Sequence, residues 1–244
     1  MSGQFVSELR KVRTTRTAPL LLLAAVAFAL LGIVAVGLSA TVEELAREDD
    51  QRTFFGSAAT NAVFFATFVG LLVVTNEFRY GTIRPTLLFE PRRRVVLAAK
   101  LAAAALAGVL FAAVCTVVSF GFGLPLLAAR DVDIALTGPH ALTIVFGTLA
   151  AAALGAMMGV AVGALIRNQV GAIVVLAGYS VAFDTLLFAT MPSLGRFLPA
   201  EALSALAGLP DEGLLTPGVG AAVALAWTLA FSVAAAARTD RSDV

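Results

Sequence analysis

The sequence is poor in the residues from which soluble enzymes build their sites. It has one cysteine, Cys115, one histidine, His140, and one tryptophan in 244 residues. A lone cysteine closes no disulfide within the chain. Cys115 lies inside an apolar run, where a free thiol packs as a small hydrophobe. One histidine and one cysteine do not make a metal centre, which draws on three or four such ligands. No G-x-x-x-x-G-K-[ST] phosphate loop is present, so the chain does not hold ATP in that way. The apolar segments offer neither paired aspartates nor a Ser–His couple for hydrolysis inside a bilayer. No catalytic residue, resident cofactor or metal is therefore expected. Charge is scarce too, at 14% of residues, against about 25% in soluble domains. Lysine is almost missing: Lys11 and Lys100 stand against fifteen arginines. A net charge of +1 points neither to nucleic acid nor to acidic substrates as partners.

What is plentiful is apolar. Hydrophobic residues make up 59% of the chain, and mean hydropathy is +0.93. A soluble core of this size leaves too much surface outside to hide that fraction, so the class is an integral membrane protein. Crossing a bilayer takes about 20 apolar residues in a helix. Six windows qualify, at about 18–40, 57–75, 101–129, 141–166, 170–191 and 217–237. Lipid offers no partner for backbone polar groups, so each run is expected to be helical. The fold class is all-α, and the chain reads as one transmembrane domain over 1–244. The first run has 23 residues, longer than the ~7–15 of a cleaved signal core, and is read as a retained span.

Lysine and arginine set orientation. With the N-terminus in the cytoplasm, the inner segments hold Arg10, Lys11, Arg13, Arg16, Arg79, Arg84, Arg92, Arg93, Arg94, Lys100, Arg167, Arg238 and Arg241, thirteen of seventeen. The outer loops keep ten of sixteen acids: Glu43, Glu44, Glu48, Asp49, Asp50, Asp131, Asp133, Glu201, Asp211 and Glu212. Both termini are thus expected inside. In the lead MSGQFVSELRKVRTTRT, Phe5, Leu9 and Val12 share one helical face with Val6 beside them, and Glu8, Arg10, Lys11 and Arg13 cover the other. This predicts a helix lying in the interface with its basic side toward lipid headgroups.

The loop TNEFRYGTIRPTLLFEPRRRVVLAAK, residues 75–100, holds six of the seventeen basic residues. Topology alone asks for fewer. Gly81–Thr82 reads as a turn followed by an N-cap, and Pro85 falls in a first turn, where its missing N–H does little harm. Glu90 precedes Pro91, which ends the helix. The result is a short intracellular helix with an apolar edge at Ile83, Leu87 and Leu88 that needs burial by protein, lipid or a partner.

The pattern Glu77-x-x-x-Gly81-Thr82-x-Arg84, then Pro91-x-Arg93, then Ala99-Lys100 at the start of a span resembles the loop after the second span in ABC-2-type transporter permeases. The segment FLPAEALSALAGL before the last span resembles that family as well. The resemblance implies six spans, an interfacial N-terminal helix, and a coupling helix that docks on a separate ATP-binding subunit, which carries ATP and Mg. It implies a second permease copy or homologue, an exporter in a bacterial plasma membrane, and membrane lipid as surroundings. On this basis the docking residues are Glu77, Arg79, Gly81, Thr82, Arg84, Leu87 and Pro91. Pro85 and the Arg92–Arg94 triplet depart from the family pattern.

In the family the second and fifth spans line the path, which singles out Asn61, Phe65, Phe68, Tyr179 and Asp184. Asp184 is the one charge in the fifth window, and such residues usually face protein or water. It faces the path or sits at the outer interface, and the aromatics line the path or pack among helices and lipid. Gly155, Gly159 and Gly163 form G-x-x-x-G-x-x-x-G in the fourth window, a spacing that lets helices approach closely. Two other classes remain open. One is an ion- or proton-coupled carrier without an ATPase; the other is a non-transporting anchor or immunity protein.

Overall fold

A computed structural model describes residues 2–211 and 213–240. Glu212 and Arg241 of the charge argument lie outside the described residues. The first half holds α1 (Ser2–Thr14), α2 (Thr17–Ser39), α3 (Val42–Leu45), α4 (Glu48–Arg79), α5 (Ile83–Phe89) and α6 (Arg93–Ala129). The second holds α7 (Gly138–Ile166), α8 (Gln169–Gly178), α9 (Asp184–Thr190), α10 (Pro192–Gly195), α11 (Pro199–Leu206) and α12 (Pro217–Asp240). No strand occurs among the described residues. Five helices, α2, α4, α6, α7 and α12, are long and apolar enough to cross a membrane. The fifth expected span is helical from Gln169 to Thr190 but divided: a π-helical turn, Tyr179–Phe183, joins α8 to α9.

Several helices outrun their apolar windows. The window at 57–75 is only the middle of α4, which has 32 residues and starts at Glu48. Glu48, Asp49 and Asp50 fill its first turn, where negative charge complements the free amides and the helix dipole. α6 begins at Arg93, eight residues before its window.

The centre of the bundle is the α4–α7 pair, with α6 against both. Alanine and glycine make it thin. Gly155, Gly159 and Gly163 of α7 face α4: a Cβ on Gly159 would run into the Thr67 carbonyl, and one on Gly163 would meet the Leu71 carbonyl. The reverse contact is made by Gly70 of α4 against Ala156. Backbone therefore meets backbone along about two turns, the dense packing that stabilises helices where lipid removes the hydrophobic drive. The neighbour lies in the same chain.

Outside, Leu23, Leu31, Phe122, Phe146, Val174 and Val233 are exposed. A belt of bare aliphatic and aromatic side chains around an Ala-rich core is the surface of a multi-pass membrane protein.

The two ends differ in charge, and each is tied by polar contacts. At the acidic end Thr41 and Glu44 form a reciprocal capping box on α3. The Arg130 guanidinium closes the C-terminus of α2 by donating to the Gly37 and Ala40 carbonyls. At the basic end Arg94 grips Asp240 at 2.7 and 2.9 Å, and Arg93 donates to the Thr239 carbonyl at 2.8 Å. Two of the three consecutive arginines thus fasten the start of α6 to the end of α12, where cations suit the dipole.

Candidate functional site

Two places gather chemistry. The first is at the basic end, under α5. Both lysines of the chain meet two glutamates there. The Lys100 ammonium lies 2.7 Å from Glu8 and 2.8 Å from Glu77. Lys11 lies 2.7 Å from each of the same two carboxylates. Glu8, Glu77 and Lys100 are buried, at 0, 5 and 2% exposure. The square joins α1, α4 and α6, and a 3.4 Å contact from Lys11 to Thr86 reaches α5. Burial works to lower the Lys11 pKa; the hydrogen bonds and charges of Glu77 and Glu8 outweigh it and leave it raised. Two positive and two negative charges with four short contacts offset the desolvation that an isolated buried ion would suffer. One oxygen, Glu77 Oε2, is buried without a hydrogen-bond partner among the described residues. It belongs to a cleft of about 360 Å³ lined by α1, α2 and α4.

This changes the reading of α1. Glu8 and Lys11 do not point to headgroups: the carboxylate is fully buried and the ammonium turns inward to meet it and Glu77. Phe5, Leu9 and Val12 are half-buried, while Val6 is exposed.

α5 has the expected limits but not the expected cap. Gly81 makes the turn with φ +69°, a conformation open to glycine at little strain. Thr82 is in the αR region and its side chain caps nothing; with φ −80° and ψ −4° its hydroxyl is turned away from the free amides. Pro85 sits in the first turn, and Glu90 is extended before Pro91. Ile83 and Leu87 are half-buried. The bare tip is Leu88 and Phe89, 85 and 92% exposed. Of the docking candidates, Arg84, Gly81 and Pro91 are exposed and Glu77 is buried in the ion square. Arg79 donates to Gln169 at 2.8 Å, which links α4 to the start of α8.

The second place is a cavity of about 660 Å³ enclosed by α4, α7, the α8–α9 segment, α11 and α12. Phe68, Tyr179 and Asp184 line it. Asn61 and Phe65 do not. The Asn61 amide donates to Ser57 of its own helix at 3.1 Å, and the Phe65 ring packs against Phe28 of α2 at 5.7 Å. Phe64, its neighbour, takes the lining position. The π turn explains the alignment of Tyr179 with Asp184. The Asp184 amide bonds the Tyr179 carbonyl five residues back, which brings the two side chains to one face. The Tyr179 hydroxyl donates to Asp184 at 2.8 Å.

Asp184 is buried, at 3% exposure. Its second partner is Glu201 of α11, the two carboxyls meeting as hydrogen-bond partners. Burial first, and then the charge and hydrogen bond of Asp184, push Glu201 up to about 7. Burial and a neighbouring carboxyl both favour the neutral form of Glu201.

Four residues escaped sequence reasoning. Glu8 and Lys100 looked like ordinary flanking charges, since their partners lie 92 residues apart along the chain. Glu201 looked like one more solvated outer acid. Gln51, inside α4, is fully buried: its amide donates to the Leu45 and Asp133 carbonyls and accepts from Ala135 and Leu136, at 2.8 to 3.0 Å. For Lys100 a faint signal exists, in that one of two lysines opens an Ala-rich span.

A helical bundle with five membrane-length apolar helices, a short helix after the second of them and a cavity among its helices fits a membrane transport component. The profile of the ABC-2 family transporter proteins matches residues 5–183. The chain belongs to that family. The matched segment stops one residue before Asp184, so α9 to α12 lie beyond it. No curated protein matches the chain.

Proposed function

We propose that this protein is the permease subunit of an ATP-binding-cassette exporter in a bacterial plasma membrane, with both termini in the cytoplasm. On this reading α8 to α9 is the fifth of six crossings. A second copy or a homologous permease completes the path, and a separate subunit binds ATP and Mg and grips α5 within residues 77–94. One observation carries it: α5 ends in a bare Leu88–Phe89 tip, while its inner side meets, through a 3.4 Å contact from Lys11 to Thr86, an ion square that ties α1, α4 and α6 together at 2.7 to 2.8 Å. A short helix transmits displacement only if it is held at the root and gripped at the tip. Closure of an ATPase dimer would push the tip, and the ion square would pass that motion to three helices together.

Affinity purification of the full chain from its own membranes tests this. The expected result is a co-purifying subunit with ATPase activity, lost on Leu88→Asp with Phe89→Asp while helix content and melting are unchanged. A complex that survives both substitutions overturns the docking assignment. The Asp184–Glu201 pair lends support to one rival, a proton-coupled carrier. Transport by the purified chain alone, driven by a pH gradient, would select it.

A further inference from the structure

The cavity has a composition that narrows what it can hold. Its walls are aromatic: Phe64, Phe68, Tyr179, Phe183, Trp227 and Phe231. Its ionisable groups besides Tyr179 are the acids Asp184 and Glu201, and no lysine, arginine or histidine lines it. Its volume, about 660 Å³, falls in the ~300–1,000 Å³ range of small-molecule sites.

Each feature excludes a class. Sugars and nucleotides need many polar partners, and the lining gives few. Anions would meet two acids and no compensating base. A neutral hydrocarbon would leave two carboxyls desolvated to no purpose, and buried acids are destabilising unless something offsets them. A bare inorganic cation would find two carboxyls and a phenol in a space far larger than itself. Among the described residues no group of three or more His, Cys, Asp or Glu is placed to hold a metal ion. What remains is a ligand that is apolar over most of its surface and carries positive charge. Aromatic faces attract such a charge within about 6 Å of the ring centroid, and the carboxyl pair neutralises it where the dielectric is low.

The walls are built for the task. The Trp227 indole N–H donates to the Phe197 carbonyl at 2.8 Å, and its ring stacks on Phe231 with centroids 5.4 Å apart. Tyr179 fixes one Asp184 oxygen. The π turn and α11 bring the two acids together from separate elements, both outside the stretch matched to the family.

We infer that this cavity binds lipophilic organic cations, with Asp184 and Glu201 as the counter-charge and Trp227, Phe231 and Phe68 as the aromatic wall. As the site of a transported substrate it rests on the permease reading; as a binding site it does not.

The test uses the full chain, purified in detergent without any ATPase subunit. Radiolabelled tetraphenylphosphonium is the probe, and tetraphenylborate, the same shape with opposite charge, is the competitor. The inference expects saturable tetraphenylphosphonium binding that tetraphenylborate does not displace. Asp184→Asn with Glu201→Gln should weaken it tenfold or more, and Phe68→Leu several-fold. Asp49→Asn, an exposed acid far from the cavity, should leave it unchanged. Gel filtration and the emission of the single tryptophan report whether each variant is folded, and the Phe68→Leu arm stands where the double variant is not. Absent binding, displacement by the borate, or equal affinity in the double variant and in Phe68→Leu overturns the inference. Absence of any co-purifying ATPase subunit from the parent protein, with cation binding intact, would sink the permease reading alone.

Discussion

Replacing Lys100 with methionine removes one ammonium from the ion square and keeps the volume. Lys100 is 2% exposed and within 2.8 Å of both carboxylates. Without it, Glu8 and Glu77 share only Lys11, and the buried cluster goes from neutral to one net negative charge. Breaking a buried pair by removing one partner destabilises by about 3–5 kcal/mol, mostly from the charge left uncompensated. Adding Glu8→Gln restores neutrality and leaves the Lys11–Glu77 contact whole. The double variant should therefore recover about 1–3 kcal/mol relative to the sum of the singles, the coupling found for residues in one network. The assay is a double-mutant cycle on the full chain in micelles, following helix signal against denaturant. Additive losses would refute the reasoning, as would a Lys100→Met protein as stable as its parent; either would mean water or lipid screens the square.

Three further outcomes follow from particular contacts. Gly159→Ala places a methyl against the Thr67 carbonyl and should destabilise by about 1–3 kcal/mol, whereas Gly121→Ala, with nothing within 4 Å, should not; thermal melts of the two compare them. Gln51→Ala strips partners from two carbonyls and two amides at the acidic end, and about 1–3 kcal/mol per orphaned buried group should appear as a lower melting temperature. Glu201 binds its proton more tightly folded than unfolded, being raised to about 7 from 4.5, so its contribution is full below pH 4.5 and lost as pH rises through about 7. The titratable groups around it are Asp184, Tyr179 and Asp211. Melting temperature should fall across that window in the parent and stay flat in Glu201→Gln, and tetraphenylphosphonium affinity should rise from pH 6 to pH 8 as the proton leaves.

The helical class and five membrane-length helices were legible because lipid leaves the backbone one option and apolar runs mark it. Hydropathy marks depth in the bilayer, not the end of a hydrogen-bond ladder, so α4 was read short at both ends. The division of the fifth window by a π turn had no local signature. α5 was legible in its bounds, since Gly81 and Pro91 act on their own backbone. It was misread in its cap, because the αR conformation of Thr82 depends on how the turn closes. The candidate site split the same way. Asp184 stands out as a charge in an apolar run, yet its partner Glu201 comes from an outer segment that only the fold returns to it. Asn61 and Phe65 are picked out by helix alone, and their side of α4 does not line this cavity. Two of the arginine triplet, Arg93 and Arg94, form straps to α12, a pairing across 146 residues that no window scan contains.

Both primary amines carried by side chains in this protein sit in one square beneath α5. Reductive methylation with carbon-13 formaldehyde would tag Lys11, which is half open, while the folded protein shields Lys100. The protein would then give a nearly empty methyl spectrum with one lysine resonance at the ion square, able to follow that square under any added ligand without an engineered label.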